Sequence, residues 1–533
     1  MAGPPWSTVY VGIAAYTITR STVGMFFLLS FVATVAKIVY KLTLYPAYFS
    51  SVGHIPSPSR RSWLTGNSKS FFIESPFEEM REWITSIPNN GLIRYYIAGN
   101  LERVLLTSPK SLSELLAHKV YEFPKPDIIR ASLARVTGEH GLLLVEGDEH
   151  KQQRKNLMPA FAYRHIKEIY PIFWTKSAEM VKCIEDDLKN RADPTDNIVC
   201  IGTWASRATL DIIGVAGMDH DFDALRNPNN ELQRQYQTIM SDPPLGMKVL
   251  YVFAMMMGNP GWVTKLPLKR NEDIMNASEV IRSVARQMIR EKHQKLNTDT
   301  TGVDILSVAL QSGSFTEDEL IDQMMTFLGA GHETTSTALQ WAIYALCKHP
   351  DVQARLRDEV RSNLPSISTD HPAPLSATTL DALPYLSAVC NEILRFHPSV
   401  PSTVRIASRD TTLVNTPIPK GTLFLIAAAV INHNKELWGP DADQFNPERW
   451  LGPGRANTGG AANNYAYLTF LHGPRSCIGQ GFAKAELACL VASLVGRFEM
   501  VLAHPEKKLE VRQSATVCPK DGVLVKMNVL EGW

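Results

Sequence analysis

The sequence predicts a mainly α protein with a small β region, folded as one large domain behind an N-terminal membrane-spanning helix. Three observations carry this. An uncharged apolar stretch near the N-terminus is long enough to cross a bilayer. Helical periodicity dominates the second half, where one segment of about 30 residues is apolar on every side. A few short β-like runs interrupt the helices, and no linker-like composition divides the chain after residue 60. At 45% hydrophobic and 20% charged, the 533 residues hold ample material for a large core.

Residues 21–36 carry no charge, and the apolar character continues past Lys37 through Ile38, Val39 and Tyr40. This places a span at about residues 22–40, with Lys37 snorkelling toward the headgroups. A cleaved signal peptide fits less well, because no basic region opens the chain and lysine follows Ala36. Arg20 alone precedes the span while Lys37, Lys41, Arg60 and Arg61 follow it, so the body is expected in the cytosol. A second apolar stretch, residues 8–18, is too short to span alone. The run "HIPSPSRR" then reads as a stiff, proline-punctuated connection. The expected division is an anchor over 1–43, a linker over 44–62 and one large domain over 63–533.

Short strands are expected in "GLIRYYIAG" and "RVLLT", and later in "GTLFLIAAA" and "GVLVKMNVL". Thr316 with Glu319 forms a capping box, and the apolar pattern behind it runs to Cys347 before His349-Pro350 stops it. About 30 residues at 1.5 Å each give a rod of roughly 45–50 Å, enough to cross a domain. A helix from Pro350 carries Val352, Leu356, Val360 and Leu364, and another from Pro384 carries Glu392 and Arg395. Residues 243–262, "PPLGMKVLYVFAMMMGNPGW", are apolar and methionine-rich but too short to span.

The net charge of +1 implies no bulk attraction to nucleic acid. Seven scattered cysteines, odd in number and without a C-x-x-C pair, suggest neither a disulfide framework nor a zinc site. Cys477 stands out among them. Gly473 and Gly479 bracket it, Arg475 lies two residues before it, and a helix begins just after it. A thiolate there would be stabilised by the helix dipole and by free backbone N–H groups. Such a thiol could be a nucleophile, a redox group, an axial haem ligand or simply a buried structural cysteine.

Phe470, Gly473, Arg475, Cys477 and Gly479 form F-x-x-G-x-R-x-C-x-G, which resembles the haem-binding signature of the cytochrome P-450 superfamily. His472 departs from the small residue usual before the first glycine. The resemblance implies that Cys477 is the axial iron ligand, its thiolate favouring O–O cleavage. It also implies that Arg475 pairs with a haem propionate. Glu392 and Arg395 give E-x-x-R on one helix face, and "FNPERW" supplies Arg449. In the family these three close a buried ion network that braces the cysteine loop, with Phe470 opening the signature. A carboxylate between two guanidiniums makes sense as a structural lock.

On the long helix, "AGHETTS" lacks the second histidine of H-E-x-x-H, since position 336 is serine, so a metalloprotease is rejected. It resembles instead the family's acid–alcohol segment, which implies that Glu333 and Thr334 relay protons while Gly331 leaves room for O₂. A helical threonine hydroxyl also commonly bonds back to its own helix; the neighbouring motifs favour the functional reading. Upstream, His150 and Arg154 match W/H-x-x-x-R, and Arg405 follows the third helix where another propionate partner is expected. Carboxylates in a dry pocket need cationic partners.

The resemblance thus implies haem b and a monooxygenase that inserts one oxygen atom from O₂ into a lipophilic small molecule. The substrate is expected to be a secondary metabolite or lipid-like compound, as in membrane-anchored fungal members. No G-x-G-x-x-G fingerprint or flavin domain appears, so electrons are expected from an NADPH-dependent reductase on the endoplasmic reticulum membrane. Lys151, Lys155 and Lys484 would face that partner, or are ordinary solvated lysines. The methionine-rich stretch would form a lid near the bilayer or a plain buried helix. A haem-thiolate isomerase or dehydratase is the rival enzyme, and a haem sensor or carrier the rival outside catalysis.

Overall fold

The protein is described by a computed structural model that covers residues 10, 12–14, 23–62, 65–67, 77–193, 195–256, 260–296, 304–367 and 373–533. Helix Val23–Val39 continues without a break into wide, π-type turns over Tyr40–Phe49. Pro46 lies inside those turns, where its missing N–H and ring are tolerated by a looser hydrogen-bond pattern. Gly24–Pro46 is long and apolar enough to cross a membrane, and Phe27, Phe31 and Val32 stand exposed on it. The backbone is therefore helical beyond residue 44. Past it, Val52 and Ile55 are buried in the cluster under the sheet. Most of residues 8–18 lie outside the described residues.

The 32-residue helix Glu317–Lys348 is the spine of the domain. Thr316 accepts from the Glu319 N–H while Glu319 reaches back to the Thr316 N–H, the reciprocal cap the sequence predicts. His349 leaves helical geometry and Pro350 opens the next helix, Pro350–Asn363. Because the spine is apolar all round, helices Ile201–Met218, Lys269–Leu296 and Gln480–Arg497 pack on different sides of it. Leu328, Leu339 and Ala342 are wholly buried there.

The main sheet pairs Leu92–Ile97 antiparallel with Leu101–Leu106, in register Leu92↔Leu106. Leu101–Leu106 then pairs in parallel with Leu423–Ile426, which is antiparallel to Thr403–Ile406. The expected strand at 421–429 ends at Ile426, because Ala428–Ile431 turns helical. Near the C-terminus, Leu524–Val529 lies between Ile198–Cys200 and Phe498–Leu502. A two-stranded hairpin, Val511–Gln513 with Val517–Pro519, reaches back to the spine helix.

Candidate active site

The cysteine loop is held by its backbone. The Cys477 N–H donates to the Phe470 carbonyl at 2.9 Å, closing the turn. Gly473 sits at φ +77°, and a Cβ there would meet the Leu116 carbonyl oxygen at 2.1 Å. No side chain fits that approach. Helix Gln480–Arg497 starts just beyond Gly479. His472 directs its Nε2 to the Tyr467 carbonyl, 3.0 Å away, so the residue that departs from the family pattern spends its contacts inside the loop.

Cys477 opens onto a cavity that is reachable by water yet walled closely by protein atoms. The Gly479 N–H and Arg154 both favour the thiolate, as expected of this position, but burial outweighs them and raises the free thiol's pKa. Apolar side chains, among them Leu142, Phe161, Ile213 and Phe482, form most of the wall.

One rim of that cavity is strongly cationic. Arg475 donates from Nη2 to the Val145 carbonyl at 3.0 Å and pairs with Glu146, while its buried Nε has no partner. Arg154 donates to the Ser476 carbonyl at 2.8 Å and to Ser476 Oγ at 3.3 Å, tying it to the loop. Lys125 also lines the cavity, and burial first, then Arg405 and Arg475, push its pKa well down. Arg405 stands behind this rim, outside the lining, donating from Nη1 to Thr403 Oγ1 at 2.8 Å. Burial, then the charge of Arg475, pushes it down to about 10. His150 bonds through Nδ1 to the Tyr121 hydroxyl at 3.1 Å. Burial, then Arg475 and Arg154, lowers it to about 3, so it is a neutral imidazole.

Four basic side chains thus converge, and among the described residues Glu146, paired with Arg475, is the carboxylate that meets them. A cluster so unbalanced in a largely apolar setting fits a group carrying two negative charges. With the orphaned Arg475 Nε and the facing thiol, the residues present fit a haem. Lys125 escaped the sequence reading. It lies between two prolines in "FPKPD", with no spacing that ties it to Arg475, 350 positions away.

The loop is braced as the motif order suggested, through more partners. Glu392 is wholly buried and accepts from Arg395 Nε at 2.8 Å, Arg395 Nη2 at 2.7 Å and Arg449 Nε at 3.2 Å. Trp450 Nε1 and the Asn446 N–H add bonds of 2.9 and 2.8 Å. Arg395 also donates to the Asn432 carbonyl at 2.6 Å. Asn432 then accepts from the Leu468 N–H at 2.8 Å, and its amide reaches Thr469 Oγ1 at 3.0 Å. The next residue is Phe470, whose carbonyl holds Cys477. Asn432 and Thr469 carry no motif and were missed, and Trp450, the last residue of FNPERW, was given no role.

Thr334 faces the Cys477 cavity and donates its hydroxyl to the Ala330 carbonyl at 2.8 Å, leaving the oxygen free to accept. Glu333 does not line that cavity. Its Oε1 accepts from Thr516 Oγ1 at 3.0 Å and Arg512 Nη2 at 3.4 Å, on another side of the helix. At Gly331 an added Cβ would come 2.9 Å from Ile213, so close helix packing also requires this glycine.

Lys151 pairs with Asp148 at 2.7 Å and Lys155 is exposed, whereas Lys484 is half-buried over the Tyr467 and Phe470 rings. Burial lowers the Lys484 pKa, which makes it a poor surface charge. The helix Leu245–Met256 exposes Leu245, Val249 and Phe253.

Comparison with known proteins gives the family. Residues 56–527 match the sequence profile described as Cytochrome P450. The chain is 54% identical to the Cytochrome P450 monooxygenase sphH of Aspergillus fumigatus, over 99% of both chains. It is 41% identical to the Cytochrome P450 monooxygenase FSL4 of Gibberella zeae, covering 94% of this chain and 92% of that one. It is 40% identical to the Cytochrome P450 monooxygenase FUM15 of Gibberella moniliformis, covering 92% and 91%.

Proposed function

The chain belongs to the cytochrome P450 family, and from that premise we propose that it is a haem-b monooxygenase acting on a lipophilic small molecule, a secondary metabolite or lipid-like compound. Electrons come from a membrane-bound NADPH-dependent reductase. Residues 1–43 anchor it in the endoplasmic reticulum membrane, residues 44–62 connect, and the catalytic domain, 63–533, lies in the cytosol.

When bound, the haem supplies the redox chemistry by which one atom of O₂ enters the substrate and the other leaves as water, at the expense of two electrons and two protons. The chain's own residues do the rest. Cys477 would hold the iron through its sulfur, in a loop kept rigid by the Glu392, Arg395 and Arg449 lock. Arg154, Arg475 and Lys125, backed by Arg405, would hold the carboxylates, and neutral His150 would offer a hydrogen bond there without adding charge. The apolar wall excludes water from the reacting face. Thr334 and Glu333 move protons, the hydroxyl standing inside the cavity and the carboxylate supplying it.

One observation carries this reading: a single thiol and a cluster of unbalanced cations share one largely apolar cavity. The test is spectroscopic. The reduced, carbon-monoxide-bound protein is expected to show the red-shifted Soret band of thiolate ligation, and Cys477→Ala to lose that band or the haem. A variant that keeps the band overturns the assignment.

A further inference from the structure

The far end of the apolar N-terminal helix is fastened to the main sheet. Pro46 has no N–H to give to the Leu42 carbonyl four residues back, and Asn100 Nδ2 donates to that carbonyl instead at 2.6 Å. Asn100 reaches it from the turn Ala98–Asn100 between the first two strands, at φ +52°. The Tyr96 hydroxyl donates to the Pro46 carbonyl at 3.3 Å. Helix Leu245–Met256, with Leu245, Val249 and Phe253 exposed, meets the same turn.

Beside this junction lies a cavity of about 170 Å³, lined by Tyr45 and Ser51 on one side and by Glu102, Arg103 and Lys420 on the other. The parallel pairing Val104↔Phe424 brings Arg103 next to the turn that carries Lys420. Glu102 is the carboxylate in this lining, and its oxygens are committed. It accepts from Ser50 Oγ at 2.6 Å and from the Tyr96 hydroxyl at 3.1 Å, and it meets Arg94 at 3.6 Å. Asp410, just beyond, accepts the backbone N–H of Lys420 at 2.7 Å. Among the described residues, neither the Arg103 guanidinium nor the Lys420 ammonium has a hydrogen-bond or ion-pair partner, and the Arg103 Nε is buried.

We propose that Arg103 and Lys420, with the hydroxyls of Tyr45 and Ser51, bind the headgroup phosphate of an anionic phospholipid in the leaflet where the anchor leaves the bilayer. The proposal rests on the reading of the N-terminal segment as a membrane anchor. Gly24–Pro46 is 23 residues, roughly 35 Å of helix at 1.5 Å per residue, against a hydrocarbon core of about 30 Å. Tyr45 therefore stands at headgroup level, and Tyr40, Tyr48 and Phe49 give the aromatic belt that marks this depth.

The lining selects among headgroups. A guanidinium fork matches two phosphate oxygens, and an ammonium beside it adds a point charge. A zwitterionic headgroup would carry its own cation against Arg103 and Lys420, and Glu102, which could receive that cation, is held by Arg94. Phosphatidic acid and phosphatidylinositol bring a phosphate without a second cation, so they fit where phosphatidylcholine does not. The cavity takes a headgroup phosphate and leaves the acyl chains in the bilayer, on the side where helix Leu245–Met256 exposes its apolar residues. Diffuse attraction to an anionic surface would not distinguish this pair from the exposed Arg60 and Arg61; a built site does.

The experiment places the full-length holoprotein in nanodiscs of phosphatidylcholine with a minority of phosphatidic acid, and native mass spectrometry counts the lipids retained on release. The wild type is expected to keep one phosphatidic acid in preference to phosphatidylcholine. Arg103→Gln combined with Lys420→Gln should cut that preference about tenfold or more, while the carbon-monoxide band of the haem stays unchanged and shows that the fold stands. Arg103→Lys restores part of the preference, and Arg60→Gln combined with Arg61→Gln leaves it intact. An unchanged preference without Arg103 and Lys420, or an equal loss in both double variants, overturns the proposal. Displacement of the retained lipid by inorganic phosphate overturns it too, since that marks a site for a soluble anion. A wild-type protein that leaves the disc altogether would instead remove the anchor reading, and the proposal falls with it.

Discussion

Replacing Glu392 by alanine tests the lock beneath the cysteine loop most directly. The carboxylate is wholly buried and accepts five hydrogen bonds, three from guanidiniums, one from an indole and one from a backbone N–H. Arg395, itself wholly buried, would keep its charge with only carbonyl partners at Asn432, Ala442 and Gln444. Arg449 would retain Asp441 at 2.8 Å. Removing one partner of a buried ion pair costs about 3–5 kcal/mol, chiefly for the uncompensated charge left behind. The orphaned Trp450 and Asn446 donors add about 1–3 kcal/mol each. Against a total stability of about 5–15 kcal/mol, Glu392→Ala should fail to yield haem-loaded protein. Glu392→Gln keeps the shape and one acceptor oxygen and should fall between. Unfolding of such a chain is read as the rate of haem loss on warming rather than as an equilibrium. Wild-type haem content and an unchanged rate of loss in Glu392→Ala would refute the reasoning that the charge is structurally required.

Three further outcomes are expected. Thr334→Ala removes a hydroxyl and little volume, so folding and haem content should survive while product per NADPH falls and hydrogen peroxide rises; general acid–base assistance is typically worth about 10²–10⁴-fold, and unchanged coupling would count against the relay. His150 has a folded pKa of about 3 against 6.5 unfolded, so the unfolded chain binds the extra proton. Its contribution to stability is full above about 6.5 and is lost as pH falls toward 3, so in His150→Gln the rate of haem loss on warming should rise less steeply on mild acidification than in the wild type, and an identical rise would exclude it as a cause. Protease added to sealed microsomes should digest the domain, and deletion of residues 1–40 should loosen membrane attachment; a protected domain would reverse the assigned topology.

Residues whose role is set by near neighbours were readable from the chain. The capping box at Thr316 and Glu319, the stop at His349-Pro350 and the proline starts at 350 and 384 all rest on local backbone chemistry, and the structure has each of them. The cysteine loop is only partly similar: Gly473, Arg475 and Cys477 lie within five positions and form a motif, but the Leu116 carbonyl that excludes a side chain at Gly473 and the Glu146 that meets Arg475 come from distant chain. Phe498–Leu502 was missed because this strand follows a helix directly, and its partner Leu524–Val529 defines it.

What only tertiary structure decided is where charges meet. Lys125, Arg405 and Arg475 are separated by long stretches of chain, and their convergence against Glu146 comes from packing of the sheet, a helix and the cysteine loop together. Glu333 and Thr334 are adjacent in sequence, yet the helical twist sends them into different cavities, and the hairpin near the C-terminus decides which partners the carboxylate finds. Residue type and spacing state which chemistry is available within a turn or two of backbone. Electrostatic energy depends on distances through space and on exclusion of water, and neither quantity exists until the chain has folded.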